Sequence, residues 1–81
     1  MEQKLLFIGY KSFTSKNGDD FYILSFLSEP VVSVDGKKAY CTDVDIFCDI
    51  TKYNSFIKSN KLMDYVSIPF EIVGNRVKYN I

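Results

Sequence analysis

Hydrophobic and polar positions alternate along most of this chain, which is the period of extended strands, and only one short segment changes to a helical period. From Lys4 to Thr14 (KLLFIGYKSFT) aromatic and β-branched residues dominate, with Gly9 as an interruption where a strand bends or bulges. This predicts a long, curved first strand. Ser15-Lys16-Asn17-Gly18-Asp19-Asp20 gathers turn formers around Asn-Gly, the strongest short-range hairpin signal, and Phe21 to Leu27 (FYILSFL) is the return strand. Within this pair Leu6 and Ile8, with Leu24 and Phe26, read as the core-facing sets. Lys11, Phe13, Phe21 and Ser25 have the opposite parity. Pro30 closes the second strand, because it has no N–H for a central ladder. Val31 to Val34 followed by Asp35-Gly36 predicts a small excursion with its own tight turn.

A third strand is expected from near Lys38, with Tyr40, Thr42, Val44, Ile46 and Cys48 on the core face and Cys41, Asp43, Asp45 and Phe47 on the other. Asp49 or Thr51 then caps a short helix. Its Tyr53, Phe56 and Ile57 stand at i, i+3 and i+4 and form one apolar stripe, and Asn60 ends it. Asp64 to Val73 alternates again, with Val66, Ile68, Phe70 and Ile72 inward and Tyr65, Ser67, Pro69 and Glu71 outward. Pro69 marks this strand as an edge or a bulge. Gly74-Asn75 supplies a two-residue turn, after which Val77, Tyr79 and Ile81 take one face and Arg76, Lys78 and Asn80 the other.

The order is therefore β-β-β-α-β-β in a single domain spanning residues 1–81. It predicts an all-β fold with one short helix, a five-stranded OB-fold-like barrel whose helix, between the third and fourth strands, plugs one end. An SH3-like barrel competes, but it usually lacks a helix at that point. An open α+β sheet is the other alternative. Eighty-one residues suffice for one core, and a chain of this size buries about 60% of the surface its unfolded form exposes. Apolar runs of a few residues, such as Leu5 to Ile8, fall far short of the roughly 20 that span a bilayer, and the first residues lack the pattern of a signal peptide. The expectation is a soluble, cytoplasmic protein without a membrane partner.

Composition narrows the chemistry. There is no His, no nucleophile motif and no Gly-rich loop opening a helix, so the expectation is a binding protein rather than an enzyme, with no cofactor. Two Cys without His do not make a zinc site. Cys41 and Cys48, in one strand-like run, would lie on the order of 23 Å apart. That is too far to bridge, so they read as buried free thiols. Asp43 and Asp45 share a face and could in principle hold a divalent cation or act as acid and base, but they read more simply as solvated positions of an amphipathic strand.

Ten basic and ten acidic residues cancel, but they are segregated. Residues 1 to 18 carry a balance of +2, residues 19 to 49 a balance of −5, and residues 50 to 81 a balance of +3. In an OB barrel the first and last hairpin loops flank the ligand cleft. Here those loops lie beside Lys11 and Lys16 and beside Arg76 and Lys78, so both basic segments are expected around one groove. Bases require flat apolar partners, and Phe13 and Phe21, on either side of the first turn, are the candidates. Tyr40 joins them beside Lys37 and Lys38, although it has the parity of core Val44. Most of the other aromatics, including Tyr10, Tyr22, Phe26, Phe56, Phe70 and Tyr79, read as packing residues.

The run Thr14-Ser15-Lys16-Asn17-Gly18-Asp19-Asp20-Phe21, between two apolar strands, resembles the first hairpin of the small OB-fold single-stranded-DNA-binding proteins of phages and conjugative plasmids, the filamentous-phage proteins above all. In that family an aromatic three residues after the turn glycine contacts DNA. The resemblance assigns this part to Phe21, and it implies sequence-tolerant binding by dimers that cooperate along the strand. DNA is expected over RNA. The sequence departs from the pattern in its zero net charge and in Asp43 and Asp45, which would repel phosphate on the third strand. The alternative is a protein-interaction module that docks a partner through the acidic stretch between Asp19 and Asp49. Unpaired edge strands in so small a barrel also predict a homodimer.

Overall fold

A computed structural model describes all residues from Met1 to Ile81. Two long strands, β1 (Glu2–Thr14) and β2 (Asp20–Ser28), form the first hairpin. A small ribbon follows, β3 (Val31–Val32) with β4 (Ala39–Tyr40). Then come β5 (Asp43–Cys48), the helix α1 (Ile50–Ser59), and a second hairpin of β6 (Tyr65–Val73) and β7 (Arg76–Tyr79). The main sheet has the order β5-β2-β1-β6-β7, with every neighbouring pair antiparallel. The protein is mostly β with one short helix, and no helix is long and apolar enough to cross a membrane.

This sheet curls into a half-barrel. Tyr79 and Ile81, at the β7 side, pack on the same core as Val44 and Ile46 at the β5 side, yet no backbone hydrogen bond joins the two edges. The buried cluster is Leu5, Phe7, Leu24, Phe26, Ile46, Tyr53 and Ile68. Phe7 and Phe26 are wholly enclosed, with ring centroids 5.4 Å apart, and Phe56 of α1 meets them edge-on at 5.0 and 5.6 Å. Removing either ring to Ala would leave a void costing about 3–5 kcal/mol.

In β1 the core set is Leu5 and Phe7, not Leu6 and Ile8. The cause is a bulge: Phe7 pairs with Phe26, but Ser25 is met by Gly9, which leaves Ile8 as the extra residue. One inserted residue inverts the inside-outside parity of everything before it relative to everything after it. Beyond the bulge the sequence parity holds, and Tyr10 lies on the core side against Phe7 and Tyr53.

The helix follows its sequence signals closely. Asp49 is the N-cap, its carboxylate accepting from the Lys52 N–H at 2.8 Å, and the Asn60 N–H closes the last turn on the Phe56 carbonyl at 3.0 Å. Tyr53 and Phe56 face the sheet, Tyr53 resting on Tyr22 at 5.1 Å.

Two expectations need correction. The third strand does not run from near Lys38. The chain leaves the ribbon after Tyr40, and β5 starts at Asp43, where Ser28 anchors Thr42 by accepting its N–H at 2.8 Å. Cys41 is consequently exposed rather than buried, and Cys48 is half-buried. Nor is β6 an edge strand. Its first half pairs with β1 up to Pro69 opposite Glu2, and its second half pairs with β7 from Phe70 onward. Pro69 sits at this change of partner. Its carbonyl accepts from the Asn80 N–H at 2.8 Å, and the missing donor falls where the β7 ladder ends. The true edges are β5 and β7.

Candidate nucleic-acid interface

Alternation puts one residue in two of β1, β2 and β5 on the face away from the core, and at the upper end of that face three of these residues are phenylalanines. Phe13 and Phe21 are direct cross-strand partners, stacked at 5.2 Å with planes 24° apart. Phe47 of β5 meets Phe21 edge-on at 6.4 Å. Both geometries are favourable for aromatic pairs. The rings remain open to solvent, at 46% for Phe13, 36% for Phe21 and 61% for Phe47. Beneath them, Ile23 pairs with Lys11 on one side and Phe47 on the other and is only 4% exposed, although it lies outside the core cluster. The rings thus form a packed row over an apolar floor.

The hairpin that carries Phe13 and Phe21 is fixed at its tip. Gly18 takes φ of +87° and donates to the Ser15 carbonyl at 3.0 Å, while the Asp19 N–H donates to Ser15 Oγ at 3.2 Å. Only glycine adopts that backbone region without steric cost. Thr14 Oγ1 donates to Asp20 Oδ1 at 2.6 Å across the hairpin neck. Lys16 is exposed in this tip, and Lys11 is exposed in the row behind Phe13.

At the other end of the row, Phe47 borders a cleft of about 290 Å3 between the two sheet edges. Its walls include Cys48, Asp49 and Lys52 from the β5 side and Lys78 and Tyr79 from the β7 side. Burial pushes the Cys48 thiol above its ordinary value, with the Asp49 charge adding to the effect. Burial alone raises the Tyr79 phenol, whose hydroxyl donates to Gln3 Oε1 at 2.7 Å. Lys78 approaches Glu71 at 3.9 Å, the one ion pair in the molecule, and both side chains are well solvated. Such a contact contributes little.

Of the residues singled out from sequence, Lys11, Phe13, Lys16 and Phe21 come together, and Lys78 reaches the Phe47 end of the same row. Arg76 does not join them. The β1–β2 turn follows Thr14, whereas the β6–β7 turn lies beyond the Glu2 end of β1, so the two turns project from opposite ends of the sheet. Tyr40 is exposed on the separate ribbon, whose turn is held by the Lys37 N–H donating to the Asp35 carboxylate at 3.0 Å. That contact, after the Ser33 hydroxyl, keeps the Asp35 carboxyl below its ordinary value. Asp43 and Asp45 lie on the same face as the phenylalanines but toward the other end, and Asp45 accepts from Ser25 Oγ at 2.9 Å.

Phe47 is the residue that sequence reasoning missed. Its parity points it outward with Asp43 and Asp45, whose charge argues against a phosphate path on that strand. The register Lys11–Ile23–Phe47, a relation between strands, is what brings it beside Phe21. A further outward pair, Lys4 over the Tyr65 ring at 5.0 Å, lies lower on β1 and β6. Comparison with known proteins gives no matching family model, no matching curated protein and no matching solved structure.

Proposed function

We propose that this chain is a sequence-tolerant single-stranded-DNA-binding protein of the OB type, akin to those of phages and plasmids, that stacks bases on Phe13, Phe21 and Phe47. The observation that carries the reading is the row itself: three exposed rings on one sheet face, with Phe21 in contact with both others. A folded chain keeps large apolar rings in water at a cost of roughly 25 cal/mol for each Å2 left unburied, so a cluster of them marks a contact surface. Each base stacked on such a ring contributes roughly 1–3 kcal/mol without regard to sequence.

The sheet order β5-β2-β1-β6-β7 with α1 before β6 supports the OB assignment, in which the second and third long strands and their flanking loops bind oligonucleotides. Lys16 and Lys11 supply phosphate partners on one side of the row and Lys78 on the other. A strand following the row stays at the upper end of the face and avoids Asp43 and Asp45. Exposed Asp19 and Asp20 share the hairpin with Lys11 and Lys16, so this path is close to charge-balanced and stacking on the rings supplies the main attraction.

Fluorescence anisotropy with a labelled oligo-dT is the test. Binding at low salt that weakens at moderate salt is expected, and no binding at low salt would overturn the reading. The alternative, a protein-docking module, is favoured only by the acids of β5. It would be selected by recovery of one stoichiometric host protein together with the absence of oligonucleotide binding.

A further inference from the structure

The cleft between β5 and β7 is lined by Ile46, Tyr79 and Ile81 of the core, has no backbone bond across it, and is bordered by Phe47, the most exposed ring of the row. We propose that this cleft is a phosphate clamp: Lys52 from the first turn of α1 and Lys78 from β7 hold the phosphodiester that follows the base stacked on Phe47, so that the bound strand bridges the open seam of the half-barrel. The inference rests on the single-stranded-DNA reading and adds Lys52 and the seam to it.

Four observations converge on this. Lys52 and Lys78 come from opposite walls, and a phosphate accepts from two ammonium groups at once. Phe47 lines the same cleft, so a phosphate held there lies next to a base stacked on its ring. Asp49 has the one acidic side chain among the lining residues, and its carboxylate is already engaged as the helix cap. Glu71 lies beside Lys78 at 3.9 Å with both side chains more than half exposed, a partner that a phosphate can displace.

The test compares the salt dependence of oligo-dT binding for the wild type, for Lys52→Ala with Lys78→Ala, and for Lys58→Ala with Lys61→Ala, a pair that removes the same charge elsewhere. For a single strand the slope of log K against log salt is about 0.7 per phosphate neutralised, so removing the cleft pair, which holds one phosphate, should flatten it by about 0.7 and the control pair should leave it unchanged. An unchanged slope in the cleft pair, or equal flattening in both pairs, overturns the clamp. Cys48 gives a second readout on the unmodified protein, because this half-buried residue lines the cleft while Cys41 lies outside it. Saturating oligo-dT should slow alkylation of Cys48 several-fold and leave Cys41 unaffected. Equal alkylation of Cys48 with and without oligonucleotide overturns the clamp while leaving stacking on the row intact. Failure of the wild type to bind oligo-dT overturns the underlying reading, and the clamp with it.

Discussion

Phe13, Phe21 and Phe47 illustrate how much a single side chain's meaning depends on its neighbours. Each has the same chemistry as Phe7 and Phe26, which are fully enclosed and hold the core. What differs is strand parity, and parity is legible: for Phe13 and Phe21 the sequence alone points outward. Cross-strand pairing then makes the three rings one surface. Replacing Phe21, the ring that touches both others, by Ala should weaken oligo-dT binding roughly 5- to 150-fold, the equivalent of one stacking contact. Phe47→Ala should do the same while Tyr40→Ala should not, and anisotropy titrations on the three variants check this. Both phenylalanine variants should retain the wild-type far-ultraviolet circular dichroism, because neither ring belongs to the core cluster.

Among the elements, α1 was the most legible. A cap, an apolar stripe at i, i+3 and i+4, and a terminating Asn lie within one short segment, and each is satisfied by contacts local in sequence. Asp49→Ala should therefore cost about 1 kcal/mol of stability, measured as a lower midpoint in urea at unchanged slope. The strands were legible as strands but not in their neighbours. Pro69 looked like an edge residue because proline lacks a donor, whereas β6 in fact changes partner at that residue and has no use for the donor there. The β1 bulge was visible as Gly9, but its consequence, a reversal of parity between Phe7 and Gly9, depends on where β2 places Phe26 and Ser25.

For the molecule as a whole, the seam is the feature that no local pattern contains. Two groups with raised pKa values, Cys48 and Tyr79, both line it, because bringing the sheet edges together partly desolvates them. In the unfolded chain these groups ionise around their ordinary values of 9.0 and 10.0, while the folded protein keeps them neutral to higher pH. The unfolded state therefore loses protons first as pH rises. Stability is complete below about pH 9 and declines above it as the pH passes through the raised values. Thermal melts should show a level midpoint from pH 7 to about 8.5 and a fall beyond. Tyr79→Phe should be less stable at neutral pH through loss of the Gln3 hydrogen bond, by about 1 kcal/mol, and should show a shallower alkaline decline. An alkaline decline as steep as that of the wild type would remove Tyr79 from this account.

The sequence by itself determined the succession of strands and helix, the turn at Gly18, the cap at Asp49 and the outward parity of Phe13 and Phe21, because each is written in residues close along the chain. Only the tertiary structure decided which strands became neighbours, that Phe47 completes the aromatic row, that Arg76 and Tyr40 stand apart from it, and that Lys52 and Lys78 line one cleft between the sheet edges. Those are relations between residues distant in sequence. They are set by sheet register and by the curl that buries Leu5, Phe7, Leu24 and Phe26 under one helix, and alternation of polar and apolar positions along one strand contains no information about either.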